Sequence, residues 1–138
     1  MTWILDTNVV SEMARVRPDP GVEAWFRARS RGELFLSAVT VGEIARGIAA
    51  VPSLERQRNL QIWLEKDILA KFAGRILGSE TGIFLLWGRW MAEGARAGKP
   101  RPILDTLIAA TAHVHSLTLV TRNISDFPLE VATFNPWT

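Results

Sequence analysis

The chain has 138 residues, 48% hydrophobic and 22% charged, the size and balance of one globular domain able to bury a real core. No apolar run approaches the roughly 20 residues that cross a bilayer, so no membrane association is expected. Cysteine is absent, which excludes disulfide staples, zinc–thiolate sites and thiol nucleophiles. The opening segment MTWILDTN has no basic region and no small-residue cleavage site, so it does not read as a secretory signal, and a cytoplasmic location is expected. The formal charge of +2 says little about partners. The basic residues, nearly all arginine, form two groups: Arg15, Arg17, Arg27, Arg29 and Arg31, then Arg96, Lys99 and Arg101. Arginine favours bidentate phosphate recognition; the equal alternative is a solvated surface with charges at helix ends.

In chain order the pattern predicts a strand over 2–5, a short helix over 8–14 that stops before Pro18 and Pro20, and a helix over 21–29 with Val22, Trp25 and Phe26 at helical spacing. A second strand is expected over 34–37. It leads into a helix over 41–50 opened by Thr40, then a longer helix over 54–72 with Leu60, Trp63, Leu64 and Ile68 on one face. A brief strand over 75–77 precedes a helix over 81–97, ended by Gly98, Pro100 and Pro102. A helix over 103–115, a β-branched strand over 117–121 and a last strand over 131–134 complete the chain. Strands alternating with helices imply an α/β domain over 1–138, its mostly parallel sheet covered on both faces. Sites in such sheets form beyond the carboxyl ends of the strands.

The acidic residues are therefore read against that edge. Asp6 follows the first strand; taken alone, Asp-Thr-Asn is good helix-capping chemistry. Glu43 lies three residues after Thr40, the spacing of a capping box. Asp105 opens the helix before the strand over 117–121, so it meets the same edge. Asn123 and Asp126 follow that strand within reach. Independent capping gives no reason for these acids to converge. Carboxylates within a few ångströms repel strongly unless a cation sits among them. An all-oxygen set suits Mg²⁺ or Mn²⁺, and the chemistry that follows is phosphodiester hydrolysis. Rival chemistries lack parts: there is no phosphate-binding glycine loop and no Gly-x-Ser-x-Gly elbow. His113 and His115, the only histidines, fall late on a helix, opposite Asp105, and read as helix-end or surface packing. Trp87, Trp90 and Met91 have i, i+3, i+4 spacing, read first as core and second as a dimer or partner interface.

Four segments then carry a family resemblance: Leu-Asp-Thr-Asn-Val-Val-Ser-Glu at 5–12, Ser-Ala-Val-Thr-Val-Gly-Glu-Ile at 37–44, Asp-Thr-Leu-Ile-Ala-Ala-Thr-Ala at 105–112 and Leu-Val-Thr-Arg-Asn-Ile-Ser-Asp-Phe at 119–127. Together they resemble PIN domains, most of all the VapC toxins of bacterial toxin–antitoxin pairs. Phe72-Ala-Gly-Arg-Ile-Leu and the ending Phe134-Asn-Pro-Trp resemble the FitB-like branch. The resemblance implies a PIN-like fold and an Mg²⁺- or Mn²⁺-dependent ribonuclease. It also implies a homodimer, or a hetero-oligomer with a small VapB- or FitA-like antitoxin that covers the active site. By motif match Asp6, Glu43 and Asp105 are the core acids. The fourth family position is the neutral Asn123, and Asp126 supplies the missing charge three residues on. Thr7, Asn8 and Thr121 match positions that support the acids, and Asn123 joins them. Arg15, Arg17 and Arg101 are the arginines expected to hold RNA phosphates. Two other functions compete: a non-catalytic α/β binding module with a structural cation at its acidic edge, and a phosphoaspartyl or receiver domain. Asp6-Thr7-Asn8 lacks the second acid of the latter.

Overall fold

A computed structural model describes residues 1–78 and 80–137. Five strands, β1 (Trp3–Leu5), β2 (Leu34–Ser37), β3 (Ile76–Leu77), β4 (Thr118–Val120) and β5 (Thr133–Phe134), form one sheet in the order β3-β2-β1-β4-β5. Every neighbouring pair is parallel. β1 is central, with Ile4 opposite Phe35 on one side and Leu119 on the other.

Side-chain alternation along β1 divides the core in two. Trp3 and Leu5 point to one face, where they meet Val9 and Val10 of α1 (Thr7–Met13), Val22 and Trp25 of α2 (Pro20–Arg27) and Ile44 and Ile48 of α3 (Ala38–Ala49). Ile4 points to the other face. There it meets Ile83, Leu86 and Trp90 of α5 (Thr81–Arg96) and the Ile108–Ala110 run of α6 (Ile103–Val114). A strand apolar at every position is what a sheet buried on both faces requires.

Several element boundaries differ from the sequence expectation, each for a local reason. α3 begins at Ala38, not after Thr40, because Ser37 caps it: its hydroxyl accepts from Val39 N at 3.1 Å. Thr40 is therefore a buried residue inside the helix, and the Thr40–Glu43 capping box does not form. The helix expected over 54–72 is α-helical only over α4 (Leu54–Trp63) and continues as a π-helix over Leu64–Leu69. Leu64, Ile68 and Phe72 are all buried at four-residue intervals. Asp105 lies in the first turn of α6, but Pro102 is the residue that precedes the helix, and its carbonyl accepts from Thr106 N at 3.1 Å and Thr106 Oγ1 at 2.6 Å. Trp90 is core, as its spacing suggested, and Trp87 is half-buried with its indole N–H donating to Ile103 O at 3.1 Å. His113 packs edge-on against Trp90, and His115 lies 2.8 Å from Glu80.

The end of α5 offers a test of packing against propensity. A Cβ on Gly94 would stand 2.8 Å from Lys99 O and 3.1 Å from Arg101 Cγ, because the chain folds back there, with Lys99 N donating to Gly94 O at 2.9 Å. Alanine is the better helix former by about 1 kcal/mol, but overpacking costs about 1–3 kcal/mol, and the close atom is backbone. Gly94→Ala is expected to lower stability by about 1 kcal/mol or more. Gly88→Ala, in the same helix with open space around it, is expected to raise it by up to about 1 kcal/mol. Thermal melts of the two variants check the contrast; equal gains would show that the turn at Lys99 yields freely.

Candidate active site

The carboxyl ends of the strands present the acids. Asp6 is the first residue after β1 and is only 4% exposed. Its backbone N–H donates to Val120 O at 2.9 Å, extending the β1–β4 pairing by one residue. Its side chain caps α1 by accepting from Thr7 N at 2.8 Å. The other carboxylate oxygen accepts from the Thr121 hydroxyl at 2.8 Å. Asp6 is thus both a helix cap and a buried charge at the head of the central strand.

Thr7 links Asp6 to the next acid. Its hydroxyl donates to Glu43 Oε1 at 2.7 Å and lies 3.3 Å from the Thr40 hydroxyl. Glu43 is half-buried on α3, and Asp105 is half-buried in the first turn of α6. Asp126 is exposed in the 3-10 turn Ile124–Asp126, whose amide donates to Asn123 O at 3.0 Å. Asn123 N donates to the Thr121 hydroxyl at 3.1 Å, and Asn8 Oδ1 accepts from Arg122 N at 3.4 Å. The supporting residues tie the loops after β1 and β4 together.

Electrostatics join the four acids into one site. Burial pushes the Asp6 carboxyl up from 3.8 to about 6; hydrogen bonds from Thr121 and Thr7 pull against it, and the Asp105 and Glu43 charges add to the rise. Burial likewise raises Asp105, with further rises from Glu43 and then Asp126. The acids share a field but not a cage: among the described residues, no three acidic or histidine side chains are gathered tightly enough to enclose an ion. The expected convergence within a few ångströms is therefore looser than the sequence implied. Since Mg²⁺ is commonly held by one or two carboxylates and keeps several waters, an open, all-oxygen donor set of this kind still suits such an ion.

The expected phosphate-binding arginines separate. Arg101 lies four residues before Asp105 and is half-buried beside Gly94. Arg15 and Arg17 follow the far end of α1, about 10 Å along the helix from Asp6. There they line an open cleft with Arg56, and Arg15 pairs with Glu12 at 3.3 Å. The structure does not bring these two beside the acids. Thr40, taken from the sequence as a cap, is instead a buried hydroxyl within the site; its β-branched neighbours Val39 and Val41 disguised an earlier helix start.

The family model for the PIN domain matches residues 3–127. The chain belongs to the PIN domain family. It is 39% identical over 135 residues to toxin FitB of Neisseria gonorrhoeae, covering 97% of both chains. It is also 39% identical over 137 residues to VapC ribonuclease Y4jK of Sinorhizobium fredii, covering 97% of this chain and 96% of the relative. The crystal structure of FitAcB from Neisseria gonorrhoeae contains a chain that superposes with a TM-score of 0.91 at 38% identity, over 99% of each.

The buried acid makes the metal-free PIN fold pH-sensitive. Asp6 carries a folded pKa of about 6 against 3.8 unfolded, so the folded protein holds the extra proton between those values. Stability is then highest below pH 4 as far as this group is concerned. It falls as pH rises through 6, by about 3 kcal/mol in total. Asp6→Asn is expected to flatten that fall. Chemical denaturation in EDTA between pH 4 and 7.5 reads it; a wild-type slope no steeper than that of Asp6→Asn would remove the buried-charge account.

Proposed function

We propose that this PIN-domain chain is a metal-dependent endoribonuclease that hydrolyses RNA phosphodiesters, with Asp6, Glu43, Asp105 and Asp126 as its acidic site. The observation that carries the reading is the meeting of Asp6, Glu43 and Asp105 at one sheet edge, where Thr7 bridges Asp6 to Glu43 and burial with the neighbouring acids raises the Asp6 and Asp105 carboxyls. A fold that keeps repelling carboxylates together at a sheet edge is suited to a cation. Asp6, Glu43 and Asp105 would hold Mg²⁺ or Mn²⁺, and Asp126 would complete the negative charge directly or through water. When bound, the ion supplies Lewis acidity, a more acidic water and neutralisation of charge at phosphorus. The chain's own residues do the rest. Thr121 and Thr7 fix the two oxygens of Asp6, the Thr7 hydroxyl orients Glu43, and Asn123 anchors the turn that carries Asp126.

The relatives named as a toxin and a ribonuclease, and the FitAcB structure, support a toxin role with a small VapB- or FitA-like antitoxin as partner. A cytoplasmic location fits an RNA substrate, and among the described residues no helix is long and apolar enough to cross a membrane. Pairing of two copies is supported by the exposed apolar surface of Phe84, Leu85, Ile103 and Leu104, with Leu85 71% exposed. Arg101, four residues before Asp105, would be the nearer of the expected arginines to meet phosphate on the acidic edge. Arg15 and Arg17 would serve only a longer RNA track.

The test is cleavage of single-stranded RNA with and without EDTA, restored by Mn²⁺ or Mg²⁺. Asp6→Asn and Asp105→Asn should each lose at least the ~10–100-fold associated with lesser defects around metal ligands, while remaining folded. Asp126→Asn should lose less than Asp105→Asn. The melting temperature should rise with Mn²⁺ by ligand linkage, and Asp105→Asn should blunt the rise. EDTA-insensitive cleavage, or near-normal cleavage by folded Asp6→Asn and Asp105→Asn, would sink the metal-site assignment, whereas no cleavage with either ion would favour the non-catalytic binding module.

A further inference from the structure

Arg122 stands between two residues of the candidate site. Thr121 on one side holds Asp6, and Asn123 on the other begins the turn to Asp126. Its side chain is exposed, yet among the described residues no carboxylate lies within ion-pair reach of it, whereas Arg27 and Arg89 each pair with a glutamate on their own helix. The guanidinium lies instead over the Trp137 ring, 5.2 Å from its centroid.

That ring is a fixed platform. Trp137 packs against the core cluster that contains Trp3 and Leu5, and its amide donates to Asn135 Oδ1 at 2.9 Å. Asn135 Nδ2 donates in turn to Arg122 O at 3.4 Å, and Asn8 receives the Arg122 amide. Residues 133–137, strand β5 and the turn after it, thus close on the backbone and the side chain of one arginine.

A structural arginine looks different in the same molecule. Arg75 also lies over a ring, Phe72 at 5.1 Å, but its guanidinium donates to Arg31 O at 2.6 Å, to Leu34 O at 2.8 Å and to Lys71 O. The Arg122 guanidinium makes no hydrogen bond to the protein among the described residues. Its five donors remain available on a side chain already held by stacking. A planar, pre-oriented fork with open donors is suited to a phosphate. An acidic edge that repels polyanions needs such a cation close by.

We propose that Arg122, laid on Trp137, is the residue that grips an RNA phosphate beside the cleaved bond. This rests on the ribonuclease reading above and assigns to Arg122 substrate binding, not metal binding. Trp137 is a positioning residue that acts through it.

The experiment uses the full chain carrying Asp105→Asn, so that a short fluorescent single-stranded RNA is bound in Mg²⁺ without being cut, and follows affinity across potassium chloride concentrations. Adding Arg122→Ala should weaken binding about tenfold or more at low salt, as expected for a charge-assisted contact. It should also flatten the log–log salt slope by ~0.7. Arg122→Lys should restore the slope but not the full affinity, since the charge returns without the fork. Trp137→Leu should weaken affinity with the slope kept. In the cleaving protein, Arg122→Ala should raise KM more than it lowers kcat. An unchanged slope and KM in Arg122→Ala, or a loss that Arg122→Lys does not restore in slope, overturns the proposal. Wild-type protein that cleaves no RNA with Mg²⁺ or Mn²⁺ removes the ribonuclease reading itself, and this inference with it.

Discussion

Much of this molecule is arranged around a carboxylate that would sooner be in water. Asp6 stands at the end of the central strand, with β2 on one side of that strand and β4 on the other. Its amide is committed to Val120 and its carbonyl to the first turn of α1, where Val9 and Val10 donate to it at 3.0 and 3.3 Å. Neither the backbone nor the side chain can withdraw without breaking the sheet or the cap. Burial outweighs the two hydrogen bonds the carboxylate receives, and the group is left at a pKa of about 6. The rest of the site supports that single unfavourable placement.

Threonine hydroxyls do most of the supporting. Thr7, Thr40 and Thr121 are partly or fully buried, come from three separate elements, and connect β1, α3 and β4 through Asp6 and Glu43. A hydroxyl both donates and accepts, so Thr121 gives its proton to Asp6 and still receives the Asn123 amide. Valine would match the shape but leave a buried carboxylate oxygen short of a donor, at a cost of about 1–3 kcal/mol. Polar positions on an otherwise apolar edge are therefore as much a part of the site as the acids.

The sequence was most legible where periodicity and chemistry agreed. Leu34–Ser37 has the expected bounds, α5 and α6 fall within a residue of expectation at each end, and Asp6, Glu43 and Asp105 reach one edge because parallel crossovers leave no other arrangement. It was least legible where two mechanisms compete for one residue. Thr40 with Glu43 has the spacing of a capping box, but Ser37 reaches the free amide first and starts the helix at Ala38, about one and a half turns before Glu43. The π turn after Trp63 depends on how Leu64, Ile68 and Phe72 meet the sheet, which no local pattern states. Arg15 and Arg17 looked close to Asp6 in sequence, but α1 carries them to its opposite end.

Three helix N-termini, those of α1, α3 and α6, open onto the acidic edge, and their dipoles oppose the repulsion among the carboxylates. The magnitudes decide the balance. A helix N-terminus contributes about 0.3–1 kcal/mol to a nearby anion, and up to ~2 kcal/mol in partly buried geometries. The upward displacement of the Asp6 pKa corresponds to about 3 kcal/mol against ionisation, and it persists after the hydrogen bonds from Thr7 and Thr121 have acted. Backbone dipoles and hydroxyls therefore reduce the deficit without closing it. More donors would have stabilised the ionised Asp6 further, but a fully satisfied carboxylate would hold a cation less well. A cation at the edge would relieve the residual deficit. The same field turns a polyanion away, so a substrate of that kind needs its own cationic contact beside the acids.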